Sequence, residues 1–195
     1  VTQQYVQRRR REILDAAWAC FARDGFHATT MDDVIATAGV SSSVVYRWFR
    51  GKDELVAACV AEAVQGGVDE LELTLRVDPP VPLADAVERV VTAMLARTVR
   101  GDQDLSALAI QAWTEALRIA DIHDLVGSLY GRIRAGLADL IRRHVAAGTA
   151  PPEIDPEAAA QPLFALIPGF LVQRLLLGAE DPHDYARAAA SVLRV

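Results

Sequence analysis

Residues 10–60 read RREILDAAWACFARDGFHATTMDDVIATAGVSSSVVYRWFRGKDELVAACV, and this stretch decides the fold. Ile13, Leu14, Ala17, Trp18, Cys20 and Phe21 recur at three- and four-residue steps, one face of a helix over 8–24 that Gly25 stops. Thr30 is placed to cap a second helix over 31–38, with Asp32 and Asp33 in its first turn, where acids favour the helix dipole. Gly39 supplies the turn. Ser41 can cap a third helix over 42–49, Gly51 ends it, and a fourth helix opens near Lys52. A short helix delivered by a tight turn from the one before it is a helix-turn-helix layout. That layout lays its second helix in the DNA major groove.

Outward from this core the chain stays helical. The fourth helix carries Leu55, Val56, Cys59, Val60, Ala63 and Val64, then meets Gly66-Gly67. Two poor helix formers in sequence predict a bend there, with helix resuming toward residue 75. Asp78-Pro79-Pro80 breaks the chain firmly. Five further helical segments follow, over 83–99, 105–119, 121–147, 155–177 and 182–193. No segment shows the sustained alternation of a strand. The expected class is all-α with about nine helices. The expected domains are a DNA-binding domain over 7–67 and a helical ligand-binding and dimerisation domain over 68–195.

The chain has 195 residues, 52% hydrophobic and 24% charged, ordinary for a protein that buries a core. Its net charge of −6 argues against a DNA partner only if taken whole. Residues 1–52 hold eight Arg and Lys against five acids, so the acidic excess lies entirely in the remainder. The local field is what phosphates feel. Arg8 to Arg11 add a basic arm, suited to a minor groove or simply to solvent. Cys20 and Cys59 fall in apolar helical patterns and read as buried reduced thiols. No apolar run is long enough to span a bilayer, and the start VTQQYVQRRRR lacks an apolar signal segment, so a cytoplasmic protein with no membrane partner is expected.

The segment from Ile13 to Val60 resembles the DNA-binding domain of the TetR family of bacterial transcription regulators. The matching elements are Phe21 with Gly25 and Phe26, Thr29-Thr30, Val34-Ile35-Ala36 and Ala38-Gly39-Val40-Ser41, completed by Tyr46, Phe49, Lys52, Glu54 and Leu55. Spacing fits without a gap. The surroundings of Trp113-Thr114-Glu115 and Asp155-Pro156-Glu157 weakly resemble the betaine-regulator-like subgroup. Two positions depart from the family pattern. Ser43 stands where glycine is common and Trp48 where histidine is common, which bears on the operator sequence. Serine adds a side chain at close approach to DNA, and the Trp48 indole keeps an N–H donor.

Roles follow for single residues. Val45 and Phe49, four apart, should enter the small core with Val34, Ile35 and Val40. Ser42, Ser43, Val44, Arg47 and Trp48 are then left for the groove. Val44 can touch a thymine methyl, and Arg47 can pair with guanine or lie along a phosphate. By resemblance Tyr46 contacts phosphate. Lys52, at a helix start, can bind phosphate with help from backbone N–H groups, and Thr30 serves as cap and phosphate donor. For a ligand pocket the middle helices offer Met94, Trp113, Leu117, His123, Leu129 and Tyr130, a mixture of aromatic, flexible and polar groups. For a dimer interface the last two helices offer Phe164, Ile167, Phe170, Leu171, Leu175, Tyr185, Ala189 and Val192. Ordinary packing within one protomer is the alternative for each of these.

Enzyme motifs are absent: no GxSxG, no P-loop, no HExxH. The histidines share no metal-like spacing with either cysteine, so no metal, cofactor or catalytic residue is expected. The reading is a homodimeric regulator, most simply a repressor, that binds a palindromic double-stranded operator and is released by a small-molecule effector. The alternatives are a regulator that acts without ligand or as an activator, and a helical binding or scaffold protein without DNA binding.

Overall fold

A computed structural model of the chain describes residues 3–100, 103–104, 106–178 and 181–193. Among the described residues nine helices succeed one another: α1 (Gln3–Ala28), α2 (Met31–Ala38), α3 (Ser42–Trp48), α4 (Lys52–Thr74), α5 (Leu83–Thr98), α6 (Ala107–Ala116), α7 (Ala120–Ala146), α8 (Pro156–Leu177) and α9 (Pro182–Leu193). The all-α class holds. Between α5 and α6 lies a short ribbon, β1 (Val99–Arg100) against β2 (Gln103–Asp104), antiparallel with Val99 opposite Asp104. Strands of two residues are too short to leave an alternating pattern in sequence.

The chain divides into two compact units. One holds Val1–Glu62 with Val99–Val126, the other Ala63–Thr98 with Gly127–Val195. The segment carrying α6 thus gathers with the N-terminal helices.

In the first unit the helical stripe of α1 is the core. Ile13, Ala17 and Cys20 are fully buried, with Leu14, Trp18 and Phe21 nearly so. Val34, Val45, Phe49, Leu55, Val56, Cys59 and Val60 join them from α2, α3 and α4. Ile35 and Val40 are only half-buried. Both cysteines are free thiols and buried. Gly25 stops the long stretch of α1 as expected, with non-helical φ 74 and ψ 171, and a separate short turn follows across the kink to Ala28. A side chain other than glycine's is strained at that φ. Phe26 then packs edge-on to Phe21, ring centroids 4.8 Å apart. Arg8 to Arg11 lie within α1 rather than in an extended arm, because the helix begins at Gln3. Arg9 pairs with Glu12 at 2.7 Å, Arg11 with Glu62 at 2.5 Å, and the Arg10 guanidinium lies 5.6 Å from the Phe49 ring centroid.

The second unit is built on α5, α7 and α8. Its core includes Ala86, Val87 and Val90 of α5, Ile133, Leu137, Leu140 and Ile141 of α7, and Leu163, Ile167 and Phe170 of α8. Here α4 contributes buried Val68, Leu71 and Thr74. Across Gly66 and Gly67 α4 is uninterrupted, in contrast to the bend expected there. Each glycine costs about 0.5–1 kcal/mol in a helix relative to alanine. The buried side chains on either side outweigh that. Arg143 of α7 donates to the Leu75 carbonyl at 2.7 Å and the Val77 carbonyl at 2.6 Å, just beyond the end of α4. A cation there completes orphan carbonyls and suits the helix dipole.

Asp155 caps α8, accepting from the N–H groups of Glu157 at 3.0 Å and Ala158 at 3.2 Å, with Pro156 in the first turn. Among the described residues α8 is the one helix long and apolar enough to cross a membrane by length and composition, its best window having a mean hydropathy of 1.4. This corrects the expectation that no apolar run reaches that length. Gln161, Gln173 and Arg174 interrupt the run only lightly, so α8 lacks the polar stripe of an ordinary surface helix. Only 22% of that window is buried within the chain.

Candidate nucleic-acid interface

The reading helix is held from behind and bare in front. Gly39, left-handed at φ 63 and ψ 28, ends α2 and turns the chain. Ser41 occupies the N-cap position of α3 with extended backbone, but its hydroxyl makes no cap bond and pairs instead with the Ser43 hydroxyl at 3.1 Å. Val45 and Phe49, at 0% and 3% exposure, fasten α3 to the core. The spacing then dictates the opposite face: Ser42, Ser43, Tyr46 and Arg47 are all exposed, and Val44 is half-buried beside them. Seven residues make a helix roughly 10 Å long. This fits a major groove about 12 Å wide. No hydrogen bond or ion pair holds the exposed Arg47 guanidinium among the described contacts, so its five donors face outward.

Three of the expected contacts are more constrained. Thr30 sits inside a capping box. Its hydroxyl accepts from Asp33 N–H at 3.2 Å and donates to the Asp33 carboxylate at 2.6 Å, while its own N–H donates to the same oxygen at 2.8 Å. The Thr30 hydroxyl first, then its backbone N–H, hold the Asp33 carboxyl below the usual carboxylate range. Thr30 can meet a phosphate only by releasing Asp33. Trp48 is half-buried with its indole N–H turned inward and lacking a hydrogen-bond partner, so the donor expected at the DNA surface is not on the surface in this conformation. Lys52 donates to the His27 carbonyl at 3.0 Å, leaving two of its three N–H donors uncommitted by that bond.

Contacts between distant parts of the first unit were not legible in sequence. Glu62 of α4 accepts from Arg11 at 2.5 Å and from the Trp18 indole at 3.4 Å, both on α1. Gln111 of α6 accepts from the Phe26 N–H at 2.8 Å. No periodicity or motif signals a pair 44 to 85 residues apart. A small cleft nearby is lined by Phe26, His27, Lys52, Val56, Glu115 and Arg118, among others, and contains none of the expected pocket residues.

The expected pocket residues are shared between the two units. Trp113, Leu117 and His123 belong to the first unit, and Met94, Leu129 and Tyr130 to the second. Leu117 is 87% exposed and His123 is exposed, so neither faces an enclosed site within the chain. Leu129 is buried, Met94 half-buried, and Tyr130 packs on Phe164 with ring centroids 5.2 Å apart. Among the expected interface residues, Phe170 and Ile167 are buried in the protomer core at 0% and 5% exposure, which removes them from any interface surface. Tyr185 packs edge-on to Phe170 at 5.2 Å. Leu171, Leu175 and Ala189 remain half-exposed, joined by Leu176 at 72% and Leu177 at 77%. The Val192 side chain lies outside the described residues. Among the described residues no group of three or more His, Cys, Asp or Glu gathers as a metal site.

Comparison with known proteins gives a consistent picture. Residues 13–59 match a family model described as bacterial regulatory proteins, tetR family. Residues 79–194 match one described as the C-terminal part of BetI-type transcriptional repressors. The chain is 29% identical over 192 residues to the HTH-type transcriptional regulator TtgR of Pseudomonas putida, covering 90% of this chain and 84% of that protein. It is 35% identical to the HTH-type transcriptional regulator YfiR of Bacillus subtilis over only 72 residues, 37% of this chain and 35% of that one. Among solved structures, a transcriptional regulator from Saccharomonospora viridis in complex with choline is similar at a TM-score of 0.73 and 25% identity, over 94% of each chain.

Proposed function

This chain belongs to the TetR family and is a DNA-binding transcription regulator, and from that premise we propose that it is a cytoplasmic repressor acting as a homodimer on a palindromic operator. The observation that carries the reading is the exposed face of α3, Ser42, Ser43, Tyr46 and Arg47, backed by buried Val45 and Phe49. In this reading Arg47, Ser43 and Val44 address base edges. Tyr46, Lys52 and Thr30 address phosphates, which position the helix without reading sequence. Half-site symmetry in the operator mirrors two-fold symmetry in the protein.

The partner that covers α8 is a second copy of the chain. Its apolar surface, lightly buried within one protomer, matches the small and apolar residues of α9. Contiguous exposed apolar surface of this kind marks an interaction site. The release signal is a small molecule with an apolar body, taken up by the second unit beside Tyr130, Phe164 and Met94. The neighbouring structure with choline and the similarity of the C-terminal part to BetI-type repressors support an effector-binding role for this region. An effector shifts the regulator only by as much as its affinities for the bound and released states differ.

The test is selection of bound fragments from random-sequence DNA by the full chain, followed by titration of the enriched sequence across salt concentrations. Enrichment of one palindrome with salt-dependent affinity supports the reading. Binding that depends on salt but selects no sequence, or no binding, would overturn it.

A further inference from the structure

We propose that Gln111 is a positioning residue for DNA reading: its side-chain carbonyl replaces the backbone acceptor that α1 loses at Gly25, and so ties the α1–α2 corner to α6. The inference rests on the DNA-binding reading above and adds a residue to it. In an unbroken helix the Phe26 N–H would donate to the carbonyl four residues back. With Gly25 at φ 74 and ψ 171 the backbone turns away, and Phe26, 2% exposed, would be left with a buried donor. Such a group left unsatisfied is costly. Gln111 Oε1 meets it at 2.8 Å from α6, 85 residues along the chain.

The surrounding atoms leave this side chain little alternative. A Cβ at Gly25 would stand 3.0 Å from Gln111 Oε1 and 3.3 Å from its Nε2, so the amide lies directly against the glycine. The Gly25 carbonyl is taken separately, by the Thr29 hydroxyl at 2.8 Å, with Thr29 only 1% exposed. The Thr29 N–H also donates to the Gly25 carbonyl, at 3.4 Å, so the corner is closed from two sides. One is local and one comes from α6. Immediately beyond it Thr30 and Asp33 start α2, and α2 delivers α3. A displacement of α6 within this unit moves the acceptor of the Phe26 N–H, and the corner must follow it or lose the bond. A weakened corner lowers the fraction of heads in the reading geometry, and apparent DNA affinity falls with that fraction.

The experiment uses the full chain, the DNA sequence it selects, and the variants Gln111→Met and Gln111→Glu. Methionine keeps the length and removes the acceptor; glutamate keeps an acceptor. We expect Gln111→Met to weaken DNA binding about tenfold, the scale of one hydrogen bond lost to a buried donor. Gln111→Glu should stay within about threefold of the parent, because its carboxylate still accepts. Thermal unfolding of both should remain cooperative. In the parent protein, amide exchange at Phe26 should be as slow as at buried helical positions. Equal DNA affinity for all three proteins overturns the proposal, as does equal loss in both variants, which would show that shape and not the acceptor matters. Fast exchange at Phe26 in the parent overturns it even if Gln111→Met does not fold. If the parent itself selects no DNA, the DNA-binding reading fails instead, and slow Phe26 exchange would still establish the tie.

Discussion

At the scale of single residues, exposure separates reading from positioning. Arg47 faces outward with its donors open, whereas Lys52 already holds the His27 carbonyl at 3.0 Å. Arg47→Ala should therefore relax preference at one base position, by about 1–3 kcal/mol if the contact is bidentate. Lys52→Ala should weaken all sequences alike and lower the salt slope by about one unit. Because it also loses the tie to the end of α1, a slightly lower melting temperature is expected with it. Salt-series titrations on variant operators distinguish the two; a sequence-independent loss for Arg47→Ala would make Arg47 a phosphate contact. Asp33 carries a pH prediction. Its carboxyl is held below the usual range by Thr30, so the cap contributes fully above the ordinary carboxylate range and is lost as pH falls through the lowered value. An NMR titration should show Asp33 titrating below an unperturbed aspartate, and Thr30→Val should return it toward the usual range. An unshifted Asp33 in the parent would contradict the cap.

At the scale of elements, close packing decides what each helix tolerates. A Cβ on Gly136 of α7 would stand 2.5 Å from Leu71 Cδ2 and 3.4 Å from Leu75 Cδ1. Leu71 is 2% exposed and has little room to yield. Gly136→Ala should therefore destabilise by about 1–3 kcal/mol despite alanine's better helix propensity. At Gly127, on the same helix, an added Cβ meets nothing within 4 Å, so Gly127→Ala should stabilise by about 0.5–1 kcal/mol. Urea denaturation of the two variants reads the contrast directly. Equal and opposite placement of these effects, or none, would mean that α4 and α7 do not meet at Gly136.

At the scale of the whole molecule, the proposed homodimer rests on apolar side chains that α8 and α9 leave at the surface of one chain. Leu176 and Leu177 are 72% and 77% exposed, and Leu171, Leu175 and Ala189 are half-exposed. Leu171→Glu or Ala189→Glu should give monomers in light scattering, since an unpaired charge within an apolar interface is strongly unfavourable. The same variants should bind a single half-site far more weakly than the parent binds the palindrome, because linkage of the two heads is lost. A folded dimer that survives both substitutions would put the interface elsewhere. Phe170→Ala, in contrast, should act on protomer stability, by about 3–5 kcal/mol, because Phe170 belongs to the core.

The helical class, the helix-turn-helix order, the buried stripe of α1 and the exposed face of α3 were all legible in the amino-acid sequence. These are local properties, fixed by a period of 3.6 residues, by caps and by glycines within a few positions of one another. Local signals were right at Gly25, where the helical backbone stops, and misjudged Gly66-Gly67, where flanking burial carries α4 through. Which apolar residues of α8 serve the protomer core and which remain outside was set by packing between helices. Phe170 and Leu171 are neighbours of the same hydrophobic kind, and helix rotation alone separates 0% exposure from a half-exposed surface. Packing also decided that Trp48 turns its N–H inward and that Gln111 meets Phe26. Such pairings depend on how distant segments pack, and the free energy that selects them is spread over many contacts that no short stretch of sequence contains.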